Sequence, residues 1–336
     1  YEVPLVAGLL RELGWRERAR SDLLSFQLLW VGKRLSHVEA AVKTLHPWQL
    51  LNHFPRRGAL TNKVELASNL RSHLRDAPAG SRAWDISPET FDLRRPEELD
   101  AFIARFAADA AEASRSLGRA AAREDHAKLS CQGQSAQSIV DADLDARTSL
   151  HGVWFLKKPH LDCGKGVEVH DSLVTLLLEA RRARWCVAVQ RYVPRPLLVG
   201  CQCKFDLRVW VLLTSWNPAV CWVYPLPYLR LASKPFRWGS EGLKDHLMHI
   251  TNRSLQKKRA RRRLDRDEEW VWMLQRFFDW ADEIGLRVQG AGSIASCRSA
   301  SVQDAWKRHT WPRILDAVRI AILACQRKVG VHPPGC

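Results

Sequence analysis

Residues 204–216, KFDLRVWVLLTSW, leave the chain little choice of local structure. They are rich in β-branched and aromatic side chains and contain no glycine or proline, so they predict one long strand. Asn217-Pro218 supplies a turn, and AVCWVYPL over 219–226 returns antiparallel. Upstream, VWFLKK at 153–158 and CVAVQRYV at 186–193 read as two more strands, the second stopped by Pro194 and Pro196. Between them SLVTLLLEARRAR, 172–184, has helical spacing, with Asp171 placed as its cap. Strands and a helix at this density indicate an α/β or α+β domain, with mixed or antiparallel sheets flanked by helices.

The flanks are more helical. Asn52-His53-Phe54-Pro55 and Arg56-Arg57-Gly58 read as a loop, after which Thr61 or Asn62 can cap a helix from Lys63. Pro96-Glu97-Glu98 opens another helix, to about Ala111, with Leu99, Phe102, Ile103 and Phe106 on one stripe. The tail predicts helices over 267–284 and 305–327, the second with Leu315, Val318, Ile322 and Cys325 on one face. Residues 107–150 are rich in Ala, Ser, Gln and Asp and read as a partly disordered connector. The expected division is an N-terminal α/β unit over 1–106, that connector, and a second unit over 151–336.

Charge narrows the partners. Lys and Arg number 52 against 36 Asp and Glu, a net +16, which draws the chain to polyanions: nucleic acid, anionic lipid or acidic protein tails. No base-reading motif supports nucleic acid. No run of about 18 apolar residues supports a membrane span, and the N-terminus shows no signal-peptide pattern. Residue 1 is Tyr, which reads as a fragment or a trimmed product. Nine cysteines form no C-x-x-C pair, and Cys201 and Cys203 fit no common zinc framework, so no metal site is expected and the thiols read as reduced, in the cytoplasm.

Three segments carry chemistry. On the strand from 204, alternation puts Lys204, Asp206 and Arg208 on one face and Phe205, Leu207 and Val209 on the other. Those charges make either a ladder of salt bridges or a phosphate site whose carboxylate serves a metal or a ribose hydroxyl. Lys157 ends a strand and is followed by Cys163-Gly164-Lys165-Gly166, a turn that can aim backbone N–H groups at a phosphate or simply close a hairpin. His246 and His249-Ile250-Thr251-Asn252 gather polar groups that suit a site or a capped helix start. A basic run over 257–263, including Lys257, Lys258 and Arg261, reads as a solvated loop or a landing site for acidic chains.

In order, W-x-x-K, G-K-G, Q-R-Y-V, K-F-D-L-R, Y-L-R and H-I-T-N-x-S-L-Q-K resemble the tubulin tyrosine ligase-like family of ATP-grasp ligases, from about 26 to 329. The N-H-F-P segment at 52–55 and the T-x-K segment at 61–63 resemble that family's N-terminal motifs. The strand running into Trp216-Asn217-Pro218 looks most like the tubulin glycylase branch, although Thr251 stands where that branch has Cys. The resemblance implies an ATP-grasp fold and a ligase adding an amino acid, glycine by this likeness, to glutamate side chains of tubulin tails through an acyl phosphate. It implies ATP and Mg²⁺ as cofactors, and tubulin in microtubules together with the free amino acid as partners. Cytoplasm, cytoskeleton and the cilium or axoneme follow as location.

Residue by residue, the resemblance puts Lys157 on the ATP phosphates, beside the turn at Gly164, and makes Gln190, Arg191, Tyr192 and Val193 the hinge at adenine. Lys204 and Asp206 would bind ATP, with Thr251 and Asn252 also at the nucleotide. Arg230 would hold the incoming amino acid's carboxylate, Arg208 would face the acceptor or the transferred phosphoryl group, and Lys257, Lys258 and Arg261 would meet the tail. Two departures stand out. Lys158 separates Lys157 from Pro159, and Cys163 replaces an expected arginine before Gly164. The family's magnesium ligands, an Asp and then a Glu-x-Asn, are expected beyond Cys336, which makes an impaired ligase, or a pseudoenzyme that only binds acidic tubulin tails, the expectation for this chain.

Overall fold

A computed structural model of the protein describes residues 2–17, 25–31, 45–54, 56–75, 86–129, 152–158, 166–183, 187–193, 195–237, 240–259, 270–288 and 300–329. Two four-stranded antiparallel sheets carry the architecture. The first has the order Thr90–Asp92, Ala188–Arg191, Trp154–Lys157, Val167–His170. The second has the order Val271–Met273, Tyr228–Pro235, Cys203–Arg208, Leu198–Val199.

Alternation explains how the first sheet is used. Trp154 and Leu156 are fully buried and meet Phe91, Phe102, Leu176 and Val189 beneath the helices Pro96–Leu129 and Leu173–Arg182. The Phe102 ring stands edge-on to Trp154, centroids 5.1 Å apart. Phe155 and Lys157, one residue out of phase, point the other way. In the second sheet Phe205 and Leu207 pack onto a cluster built from Leu229, Trp272, Phe277 and Trp306. That leaves Lys204, Asp206 and Arg208 for the opposite face.

The long strand expected over 204–216 is two strands, Cys203–Arg208 and Val211–Trp216, broken at Val209-Trp210. The second forms a separate hairpin with Ala219–Val223 across the Asn217-Pro218 turn. The reason is that the apolar residues serve two cores. Phe205 and Leu207 face the first, whereas Leu213 and Trp216 pack with Ala59, Ile322 and Cys325. One uninterrupted pleat could not deliver both sets.

Other elements differ from the sequence reading in instructive ways. The helix Leu173–Arg182 is capped by Ser172, whose hydroxyl accepts from Thr175 N–H at 3.4 Å, and not by Asp171. The expected helix over 267–284 begins as the strand Val271–Met273, which pairs with Tyr228, Leu229 and Arg230, and turns helical at Leu274–Glu283. The C-terminal helix is Val302–Ala305, a π turn over Trp306–Thr310, and Trp311–Val329. Ile322 and Cys325 are buried on it, but Leu315 is exposed. Asn62 does cap Lys63–Arg75, its Oδ1 accepting from Val64 N–H at 3.1 Å. The helix opened by Pro96 runs past Ala111 to Leu129, through the first part of the expected connector, while 130–150 lie outside the described residues. Among the described residues no helix is long and apolar enough to cross a membrane. Cys201, Cys203, Cys221 and Cys325 are free thiols.

Candidate functional site

A cleft of about 270 Å³ is lined by Phe155, Gln190 and Val193 from the first sheet and its trailing segment, and by Lys204 and Phe205 from the second. Lys204 lines it directly, its ammonium 5.5 Å from the centre of the Phe155 ring, and Lys157 reaches it through its contacts with Phe155 and Gln190. The Lys157 Nζ donates to Gln190 Oε1 and lies 5.0 Å from the centre of the Phe155 ring. Gln190 in turn donates to Thr90 Oγ1 at 2.9 Å, and the Thr90 hydroxyl donates to the Pro88 carbonyl at 2.7 Å. Lys157 is thus aimed by a chain of hydrogen bonds that passes through the edge strand at Thr90 and ends on Pro88 just before it.

Lys204 Nζ donates to the His249 carbonyl at 3.2 Å and to Tyr192 Oη at 3.3 Å, and sits 4.6 Å over the Tyr192 ring. Burial pulls both lysines down to a pKa of about 8; for Lys157 the cations of Lys63 and Lys204 add to the effect, and for Lys204 the Asp206 carboxylate partly offsets it. Among the described residues neither ammonium has a carboxylate salt bridge. Two half-buried cations without a carboxylate salt bridge among the described residues, beside an apolar wall, suit a ligand with a flat apolar ring and a chain of phosphates.

Next to the lysines lies a second constellation. Arg230 stands directly across from Asp206 in the strand register and grips it with two hydrogen bonds, 2.7 and 2.6 Å. The Thr251 hydroxyl adds a third to Asp206, at 2.6 Å. The Asp206 contact pushes the Arg230 pKa up. The ladder suggested by the strand face therefore runs across strands, not along one. Arg208 ends the same face with its guanidinium 5.3 Å from the Trp210 ring.

The other expected site residues fall into three groups. Tyr192 is buried behind Lys204, and Val193 is half exposed at the rim. Arg191 also lines the cleft; its guanidinium pairs with Asp109, 2.9 Å, and Glu89, 3.8 Å, and its backbone N–H donates to the Glu89 carbonyl. Asn252 starts the short helix Arg253–Arg259, its carbonyl accepting from Leu255 and Gln256 N–H. Lys257 and Lys258 lie on that helix. Gly164 and Arg261 lie outside the described residues.

Sequence reasoning missed Phe155 and Thr90. Phe155 was legible, because it is two residues from Lys157 and shares its face. Thr90 was not, because its partner is 100 residues away. Among the described residues no group of three His, Cys, Asp or Glu could hold a metal ion. The carboxylate that acts on Lys204, Asp206, is already engaged by Arg230 and Thr251. The described donors fit phosphate and do not fit magnesium.

A model of the tubulin-tyrosine ligase family matches residues 42–310, which hold both sheets and both lysines. The chain belongs to the tubulin-tyrosine ligase family. This member is similar to Probable tubulin polyglutamylase TTLL2 of Mus musculus, 26% identical over 82% of the chain and 43% of the relative. It is 28% identical to Tubulin polyglutamylase TTLL5 of Mus musculus, over 76% of the chain and 15% of the relative. It is 32% identical to Tubulin glycylase 3D of Tetrahymena thermophila, over 36% of the chain and 12% of the relative. The chain spans less than half the length of these curated relatives.

Proposed function

We propose that this family member is the core of an ATP-dependent ligase that joins an amino acid to glutamate side chains in the acidic tails of tubulin. The carrying observation is the convergence of two half-buried lysines, Lys157 and Lys204, on the Phe155 ring, 5.0 and 5.5 Å from its centre, at the wall of a largely apolar cleft. In this reading Phe155 and Val193 would flank the ring of ATP, and Lys157 and Lys204 would hold its phosphates. Bound there, ATP supplies the phosphoryl group that makes a carboxylate reactive toward an amine. The chain's own residues position and neutralise. The paired lysines offset phosphate charge, and Gln190 fixes the direction of Lys157. Arg230, once released from Asp206, would offer a guanidinium to a second substrate's carboxylate, with Arg208 further along the same face. Lys257, Lys258 and Arg261, together with the net charge, would attract the glutamate-rich tail.

Glycine is our reading of the donor, from the strand leading into Trp216-Asn217-Pro218 and the likeness to a glycylase. The longer alignments with polyglutamylases favour glutamate as the second reading. The place of action would be the cytoskeleton, with the ciliary axoneme as its tubulin-rich site. The test is transfer of radiolabelled glycine or glutamate to microtubules with and without ATP. ATP-dependent glycine incorporation, lost in Lys204→Ala, is the expected result. Incorporation of glutamate alone would replace the donor. Microtubule binding without transfer of either would leave a non-enzymatic reader of acidic tails.

A further inference from the structure

Behind Lys204, on the side away from the cleft, three groups form a buried column. His249 is 2% exposed, and its Nε2 lies 2.9 Å from the Gly242 carbonyl. A carbonyl can only accept, so Nε2 carries the proton and Nδ1 presents a lone pair. Nδ1 is 2.8 Å from Tyr192 Oη, so the phenol must donate to it. The remaining lone pairs of that oxygen then face the Lys204 ammonium, 3.3 Å away. Every donor points the same way, from Lys204 to Tyr192 to His249 to Gly242.

The rings are boxed in. Tyr192 stacks on Phe155 with centroids 4.7 Å apart, and both Tyr192 and Phe236 stand edge-on to His249 at 5.6 and 5.7 Å. Burial holds the imidazole below its usual pKa, which keeps it neutral and preserves the Nδ1 acceptor. The charged groups around the column are Asp206 and its partner Arg230, Lys157 across the cleft, and Asp245 and His246 near the imidazole.

We propose that His249 is a positioning residue: by fixing the direction of the Tyr192 hydroxyl, it holds the Lys204 ammonium at the cleft wall. Its functional consequence rests on the nucleotide reading of the cleft, but the geometry it controls does not.

The experiment follows each lysine separately. The intact protein is labelled with a limiting amine-acylating reagent across the lysine titration, and Lys204 and Lys157 are quantified by peptide mass spectrometry. In the wild type both should reach half-maximal labelling near their pKa of about 8. In Tyr192→Phe and His249→Leu the Lys204 midpoint should move to lower pH, because the ammonium loses an oriented acceptor. Lys157, held by Gln190, should keep its midpoint. His249→Asn restores an acceptor near the Nδ1 position and should bring Lys204 back. In parallel, calorimetry should find ATP bound roughly tenfold more weakly by Tyr192→Phe, the scale of one charge-assisted hydrogen bond. Tyr192→Phe keeps the ring and decides the matter if His249→Leu fails to fold. An unmoved Lys204 midpoint in Tyr192→Phe, or equal movement of both lysines, overturns the proposal. A shifted Lys204 midpoint in a protein that does not bind ATP upholds the positioning role and removes the nucleotide reading instead.

Discussion

Lys157 and Lys204 titrate in a range that makes two opposite pH effects measurable. Both have a folded pKa of about 8 against an ordinary 10.5. Between those values the unfolded chain holds more protons than the folded one, so these two groups make the fold more stable as pH rises through that window. Anion binding runs the other way. Above pH 8 each neutral lysine must take up a proton to meet a phosphate, so affinity should fall by up to about tenfold per pH unit for each lysine. Calorimetry with ATP on either side of pH 8 checks this, and Lys204→Met should remove one lysine's share of the slope. A flat profile would detach the lysines from the ligand. At this scale alternation made the Lys204 and Asp206 face legible, because a single strand states it. The grip of Arg230 on Asp206 was not legible, because register between strands is set by partners and not by the spacing within either one. The ion pair between Arg191 and Asp109 was not legible for a similar reason: Asp109 sits on a helix remote in sequence.

Elements were legible where they carried enough residues to show a period. The strands Trp154–Lys157 and Ala188–Arg191 and the helix Leu173–Arg182 lie inside the expected spans, and the helix Lys63–Arg75 begins where one was expected to start. Thr90–Asp92 and Val271–Met273 have three residues each, too few for a pattern, and exist because Ala188–Arg191 and Tyr228–Pro235 offer them an edge. Capping offers a clean test of the revised boundary at Ser172. Ser172→Ala should cost about 1 kcal/mol in chemical denaturation, while Asp171→Ala should change little. The reverse order would restore Asp171 as the cap. In the core beneath the same sheet, Phe102→Ala should cost about 3–5 kcal/mol, since the ring is fully buried against Trp154. A loss near 1 kcal/mol would mean that this helix is only loosely docked.

For the whole molecule, net charge sets long-range behaviour. With a formal +16, the proposed association with acidic tubulin tails should weaken steeply from low to physiological salt, where the Debye length is about 8 Å. Co-sedimentation with intact and subtilisin-treated microtubules measures it. Equal binding to both would locate recognition on the folded tubulin body, and tighter binding to RNA would turn the charge toward nucleic acid. The break at Val209-Trp210 has a consequence of another kind. The chain on its N-terminal side is tied to the cleft and the Trp272 cluster, and the chain on its C-terminal side to Ile322 and Cys325. Two adjacent segments should thereby open as separate cooperative units. Native-state hydrogen exchange should give the amides of Cys203–Arg208 one opening free energy and those of Val211–Trp216 another. The hairpin can then open, or change in evolution, without loosening Lys204 at the cleft wall.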